Sequence, residues 1–501
     1  MIKPDRLFTI IAASFAVAYV LFRFWGLTDS CLWFDEIFGV HAAEMPVGDM
    51  LWFVAQDLIH PPLFYLLLKG WMGVGGESLF WLRSFSVFWS IAALAPFLFL
   101  CKELKLSYTA RLIALAFLAT NGALIKYAQE VRMYGPLLFL SLVSMWLFAR
   151  FFYRGKNIWI LTLVNVLLVY THYFGWFVVA SEVLAILLMQ RIKIRHVLIM
   201  LGILIASYVP WIWALAQASG TGADVRQNIG WIEKPGLRAL FDFAFDVVEP
   251  FYSQQTSIDP KTILIVAVPL LIAVAAAKLS YFANWKKPDD HTSFIVLSIF
   301  ATLPLVLAMI ASWIFPVSIW GTRHLIIVFP AMFLVIGIMF DAVEFKPLKM
   351  VLIALTLLMF CVGFGYRVNA SRPEMIWCAW ERQVKSIPAD VPQTVYVFED
   401  LVAYHMWFAV RDSLNVQIVK VNGIPEMQED KAYFLPRGFD AVKTVGPDEM
   451  SGDRFWVAFR DMQWNEKHPP INILLAEGYR LGQPREINSG GLKSFLVEAS
   501  K

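Results

Sequence analysis

Ionisable residues gather at a few points of the chain, and each group has a chemistry that its residue types and spacing allow. The adjacent acids of Cys31-Leu32-Trp33-Phe34-Asp35-Glu36 can supply a general base or ligate a cation, and as an isolated pair they also fit a solvated loop. In His60-Pro61-Pro62-Leu63-Phe64-Tyr65 the prolines suit the first turn of a helix and push the preceding residue to extended geometry. That puts the His60 imidazole at a helix N-terminus, where the dipole and free N–H groups attract a phosphate. The stretch Lys126-Tyr127-Ala128-Gln129-Glu130-Val131-Arg132-Met133-Tyr134-Gly135 is the densest, with Lys126 and Glu130 one helical turn apart and Arg132 entering an apolar run. Snorkelling would explain its cations as anchors, and charge-assisted hydrogen bonds to a phosphate would explain them as a binding site. Arg83, His172 in Tyr170-Thr171-His172-Tyr173-Phe174, and Arg323 in Trp320-Gly321-Thr322-Arg323-His324 extend the set, each also readable as an interfacial anchor.

The elements that must hold these residues follow from composition. Only 16% of the 501 residues are charged and 59% are hydrophobic, against roughly 25% charged in an ordinary soluble chain, which implies a polytopic membrane protein. The net charge of +3 gives no global basic field, so a nucleic-acid partner is not expected. About eleven windows are long and apolar enough to span a core about 30 Å thick. They run from 7 to 25, 81 to 100, 109 to 125, 133 to 150, 157 to 171, 174 to 190, 197 to 216, 261 to 278, 292 to 315, 321 to 340 and 347 to 366. The first follows Lys3 and Arg6 as a signal peptide would, but it continues through Val20-Leu21-Phe22 without a clear cleavage site and reads as a retained span.

Lys and Arg then collect in every second connection: Lys3 and Arg6; Lys102 and Lys105; Arg150, Arg154 and Lys156; Arg191, Lys193 and Arg195; Lys278, Lys286 and Lys287; Lys346 and Lys349. That bias makes this side cytoplasmic, the N-terminus inside and the C-terminus outside, in a multi-pass plasma (inner) membrane protein. The segments from about 26 to 80, about 217 to 260 and beyond about 367 then lie outside, where the chemistry should be sought.

Pro46 to Ile59 and Pro61 to Gly73 are apolar but too short to cross, so residues from about 35 to 73 are expected to form outer interfacial helices. Residues 1–366 read as the transmembrane domain and 367–501 as a small extracytoplasmic α/β domain. Its expected strands are Thr394 to Phe398, Asn415 to Val421, Arg454 to Phe459 and Leu492 to Val497, with helices near 400 to 410 and 470 to 477. Within the spans Glu182 and Asn165 are the mid-depth polar groups, and Glu182 reads as a hydrogen-bonded interior acid. The four cysteines are too few for a disulfide framework and lack metal-ligand spacing; they read as incidental, with pairing of Cys31 and Cys378, both outside, left open.

Taken in order, these pieces resemble the GT-C superfamily of polyprenyl-phosphate-sugar glycosyltransferases, particularly bacterial relatives of protein O-mannosyltransferases and of the lipid A aminoarabinose transferase. The resemblance covers about residues 1 to 340. It rests on Trp33-Phe34-Asp35-Glu36, His60-Pro61-Pro62-Leu63-Phe64-Tyr65, Leu82-Arg83-Ser84-Phe85-Ser86, Tyr127 to Tyr134, Tyr170-Thr171-His172-Tyr173 and Arg323-His324-Leu325. It departs at His324, where these relatives often show Tyr. The resemblance implies a GT-C-like α-helical membrane fold and an inverting transfer at the outer face from a polyprenyl-phosphate sugar donor. The acceptor would be an envelope lipid, glycan or protein, and membrane lipids would surround the chain.

By the same resemblance Asp35 would be the base, with Glu36 supporting it or sharing a divalent cation, which would be held by these two acids if present at all. Donor phosphate would fall to His60, Arg132, Arg323 and Lys126, because the leaving polyprenyl phosphate gains negative charge. Arg83, Gln129, Glu130, Tyr134 and His172 are secondary candidates. The rival readings are a transporter or flippase of envelope glycolipids, a receptor or assembly scaffold, and a polymerase or ligase using an undecaprenyl-diphosphate donor. Transporter sites lie at the midplane of interrupted, repeated helices, and neither feature stands out here.

Overall fold

The computed structural model describes residues 4–190, 192–251, 288–369, 376–385, 387, 394–411, 414–419, 435–467, 469–489 and 492–501. The chain divides into two compact units. The first comprises Met1–Leu27, His60–Ala216 and Ile232–Arg372; the second comprises Thr28–Ile59, Gln217–Trp231 and Pro373–Lys501.

The first unit is helical, as its apolar windows dictate. Ten of the expected spans coincide with helices: Pro4–Phe24, Leu79–Glu103, Tyr108–Thr120, Tyr134–Arg154, Ile158–Thr171, Gly175–Met189, Ile194–Gly220, Thr292–Ile314, Leu325–Ala342 and Lys346–Asn369. The expected span from 261 to 278 lies outside the described residues. Among the described residues six helices are long and apolar enough to cross a membrane. Tyr108–Thr120, Ile158–Thr171 and Gly175–Met189 are apolar but have only 13, 14 and 15 residues. At 1.5 Å per residue that is about 20 to 22 Å, less than the ~30 Å core. The expected span at 81 to 100 is two helices, Leu79–Ala92 and Leu94–Glu103, because Pro96 lacks the N–H that would continue the ladder.

Polar side chains start and tie these helices. Ser78, Ser107 and Asn121 cap their helices by accepting N–H bonds from Trp81, Ala110 and Leu124. Glu182 and Asn165 are fully buried, and Asn165 Nδ2 donates to Glu182 Oε2 at 2.6 Å, with the Ser144 hydroxyl 2.6 Å from Glu182 Oε1. Glu182 is the hydrogen-bonded interior acid that the sequence suggested, and it joins three helices. Arg23 is also fully buried and donates to Ser90 Oγ, Tyr19 O and Leu118 O, which ties the first helix to two others.

In the second unit the described residues form a seven-stranded sheet of order β3-β2-β1-β4-β7-β5, with β6 also on β7. The strands are β1 Thr394–Val397, β2 Asn415–Val419, β3 Lys443–Val445, β4 Arg454–Asp461, β5 Arg480–Leu481, β6 Arg485–Ser489 and β7 Leu492–Ser500. β1 to β4 pair in parallel and β7 runs antiparallel to β4, with Val457 opposite Val497. The four expected strands and both expected helices, Asp400–Val410 and Pro469–Ala476, are present. The short strands β3, β5 and β6 were not expected, because two to five residues with one apolar side chain each carry no alternation to read. Tyr396, Phe455, Phe459 and Phe495 fill the core on one face.

Three helices of 11 to 13 residues, Phe34–Glu44, Val47–Asp57 and Leu63–Gly75, occupy the stretch expected to be interfacial.

Candidate functional site

Within the first unit the structure brings several sequence candidates together. The helix Gly122–Ala128 ends at Gln129, and the short turn after it carries Glu130, Val131 and Arg132 into the helix Tyr134–Arg154. Gly135 sits where an added Cβ would lie 2.5 Å from the Ser86 carbonyl oxygen, so only glycine permits this approach. The same contact lets the Ser86 hydroxyl donate to Arg132 O at 3.1 Å, which fixes the arginine's backbone.

Arg132 is only 2% exposed, and its Nη2 lies 3.1 Å from His60 Nε2. A guanidinium can only donate, so His60 Nε2 is the accepting, unprotonated nitrogen. The His60 ring lies 5.9 Å from that of His172, which lies 5.1 Å from that of His324. All three histidines are buried. The Phe174 N–H donates to His172 Nδ1 at 3.1 Å, so in the neutral ring Nε2 carries the proton and is a donor. His324 Nδ1 lies 3.3 Å from the Ile319 carbonyl, which can only accept.

Burial, and behind it the neighbouring His60, Arg132 and Arg323, holds the His172 imidazole well below its ordinary range. Arg323 is therefore electrostatically part of the same cluster. The cluster thus holds three buried imidazoles, the buried guanidinium of Arg132 and the partly buried one of Arg323, and donors in a low-dielectric setting act on negative charge far more strongly than in water.

The other candidates in this unit make contacts of their own. Lys126 Nζ is 4.0 Å from Glu130 Oε1 and 5.3 Å from the Tyr127 ring centre. Tyr134 packs against Tyr127 and lies 6.5 Å from the His324 ring. Arg83 donates to Leu27 O at 2.8 Å. Gln129 Nε2 donates to the carbonyls of Arg23 and Trp25. Gln129 is engaged with the C-terminal end of the first helix and Arg83 with the turn that follows it.

Asp35 and Glu36 belong to the second unit, in the first turn of the helix Phe34–Glu44, where the dipole favours negative charge. Glu36 is fully buried and accepts the Trp33 N–H at 3.0 Å, which closes the helix start. Asp35 is half-buried. The turn is held firmly from within its unit. His405 Nε2 donates to Leu32 O at 3.0 Å, and Phe34 packs on Tyr404 with ring centres 5.1 Å apart.

Cys31 and Cys378 form a disulfide with Cα atoms 5.4 Å apart, so reading all four cysteines as incidental is corrected for this pair. The sequence could not decide it, because the partners are 347 residues apart. Among the described residues no group of three or more His, Cys, Asp or Glu side chains is arranged to hold a metal ion.

Sequence reasoning assigned no role to His324 and overlooked Asp246. Asp246 Oδ2 accepts the Thr322 hydroxyl at 2.6 Å, and the carboxyl is pushed up chiefly by burial. The one available signal was an acid near the end of an amphipathic helix, Leu237–Val248, and it did not stand out from the charged residues Arg238, Asp242 and Glu249 around it.

No protein-family model matches the sequence, and no curated protein matches it either. Solved structures do. ArnT from Cupriavidus metallidurans in the apo state superposes with a TM-score of 0.56 at 12% identity, covering 98% of each chain. The same protein bound to undecaprenyl phosphate gives 0.54 at 11% identity, covering 97% of each. An oligosaccharyltransferase from Archaeoglobus fulgidus, in complex with Zn and sulfate, gives 0.48 at 12% identity over 80% of this chain. This chain spans 61% of that protein's length. The present chain shares the fold of ArnT over nearly its whole length, whereas the resemblance in sequence order covered about residues 1 to 340.

Proposed function

We propose that this chain is an inverting glycosyltransferase that moves a sugar from a polyprenyl-phosphate donor to an envelope lipid, glycan or protein. The observation that carries this reading is the cluster of buried Arg132, His60 and His172 with the partly buried Arg323, set in a fold shared with a protein that binds undecaprenyl phosphate. A cluster of this charge suits a phosphate that becomes more negative during reaction.

In the proposed reaction an acceptor O–H or N–H attacks the anomeric carbon, and Asp35 takes its proton as the new bond forms. The bond from the anomeric carbon to the phosphate oxygen breaks with its electron pair. The leaving polyprenyl phosphate passes from a singly charged diester to a monoester dianion. Arg132, Arg323 and the Nε2–H of His172 stabilise that added charge, with Lys126 as a further cation. His60 accepts from Arg132 and so orients it. Glu36 holds the turn that presents Asp35.

We further propose eleven spans with the N-terminus inside, residues 1–366 as the membrane domain and residues 367–501 as a domain outside the inner membrane. Two independent features support this sidedness. Lys and Arg alternate between successive connections, and disulfides such as Cys31–Cys378 persist in oxidising compartments.

The test is mass spectrometry of envelope lipids and glycans from a deletion strain carrying wild type or Asp35→Asn. The expected result is a sugar absent from the deletion and from Asp35→Asn, and restored by wild type. An unchanged glycan profile in the deletion sinks the transferase reading. In vitro, turnover of a monophosphate-linked donor but not its diphosphate counterpart separates this reaction from that of a polymerase or ligase.

A further inference from the structure

The two cationic segments of the proposed phosphate site come from distant parts of the sequence, yet both are fastened to one stretch, Asp246 to Phe251. On one side Asn121, the cap of the helix that carries Lys126, donates through Nδ2 to Asp246 O at 2.8 Å and Val247 O at 3.1 Å. The Gly122 N–H donates to Glu249 O at 2.9 Å, and the Phe251 N–H donates to Thr120 O at 2.8 Å. On the other side the Asp246 carboxyl accepts the hydroxyl of Thr322, the residue before Arg323.

We propose that Asp246 is a positioning residue, whose carboxyl holds Thr322 and thereby fixes Arg323 for the donor phosphate in register with the segment bearing Lys126 and Arg132. The inference rests on the phosphate site proposed above. A carboxyl close to an anion site works against binding through charge, so its contribution here is the hydrogen bond it accepts. Burial favours its neutral form, which lessens the repulsion. Lys126 also bears electrostatically on Asp246, so the acid sits between the two cationic segments.

The test measures binding of undecaprenyl phosphate to the purified full-length chain, together with steady-state kinetics. Asp246→Ala and Thr322→Val are each expected to weaken binding by about tenfold, a modest shift for one removed contact. The effect should fall mainly on KM for the donor, with kcat changed less. Because the two residues act as one device, the double variant should be no weaker than either single. Thr322→Ser and Asp246→Asn retain the hydroxyl and an accepting oxygen, and each should stay within about threefold of wild type. Thermal unfolding of each variant identifies any that fails to fold, and Thr322→Val carries the same arm if Asp246→Ala does.

Wild-type binding by folded Asp246→Ala and Thr322→Val, while Arg323→Ala loses affinity, overturns this inference and leaves the phosphate site standing. Additive losses in the double variant also overturn it. Failure of wild type itself to bind undecaprenyl phosphate overturns the phosphate site, and the inference with it.

Discussion

The guanidinium of Arg132 donates to Nε2 of His60 across 3.1 Å, joining the turn after the helix Gly122–Ala128 to the residue that precedes two prolines. Neither residue is exposed enough to be a surface anchor, at 2% and 7%. A buried guanidinium that donates to an imidazole acts on charge far more strongly than one at the surface, because the surrounding dielectric is low.

Removing Arg132 should therefore cost more than a surface cation would. Arg132→Ala is expected to lower kcat/KM by about 10²- to 10³-fold. Arg132→Lys should fall between, because an ammonium keeps the charge but lacks the planar fork. Steady-state kinetics on the purified chain with a lipid-linked donor is the measurement, and near-wild-type kinetics for Arg132→Ala would remove the arginine from the site.

Asp35 and Glu36 should separate cleanly. Asp35→Asn is expected to lower kcat by about 10²- to 10⁴-fold with little change in unfolding temperature. Glu36→Ala should lower the unfolding temperature, because Glu36 accepts the Trp33 N–H at the helix start, and Glu36→Gln, which retains an accepting oxygen, should recover it. Paired kinetics and thermal unfolding would reveal the opposite pattern if the roles were reversed.

The second unit should lose stability in mild acid. Burial lowers His405 and His41 from the ordinary 6.5 to about 4. A depressed histidine is neutral when folded, so the unfolded state binds the extra proton between these two values. Stability is full above about pH 6.5 and is lost as pH falls toward 4. For His405 the loss is on the order of 3 kcal/mol. His405→Gln, which can still donate to Leu32 O, should flatten that slope in thermal unfolding of the full chain between pH 7 and 4. An unchanged slope would count against His405 as its source.

Reduction of Cys31–Cys378 should loosen the turn that carries Asp35, since the bond lies only four residues before that acid. Disulfides typically contribute about 2 to 4 kcal/mol. Cys31→Ser and Cys378→Ser are expected to lower the unfolding temperature alike, and a reductant should lower wild type without affecting either variant. Reductant-insensitive wild type would show that the bond carries no stability.

Much of the fold was legible. The apolar windows are helical at all ten places that lie among the described residues, because helix formation in such windows follows from the summed transfer energy of consecutive residues. Strands β1, β2, β4 and β7 were legible because each has an apolar run or alternation, whereas β3, β5 and β6 are short with one apolar residue each and take their conformation from the neighbours they pair with. Among the site candidates, the sequence ranked Arg132 ahead of the secondary candidates Arg83 and Gln129 without showing what any of them meets. They differ in what faces them: carbonyls at the end of the first helix and in the turn after it for two of them, the His60 imidazole for the third.

The linear sequence thus determined a helical chain matched to a membrane, its α/β tail and the short set of ionisable residues from which a site could be made, since these are properties of residue type and local spacing. Tertiary structure alone decided that Arg132 meets His60, that His324 joins His172, that Asp246 holds Thr322 and that Cys31 finds Cys378. Each of those contacts depends on the distance and direction between elements far apart in the chain, and a hydrogen bond or disulfide of a few ångströms leaves no periodic trace in the residues between.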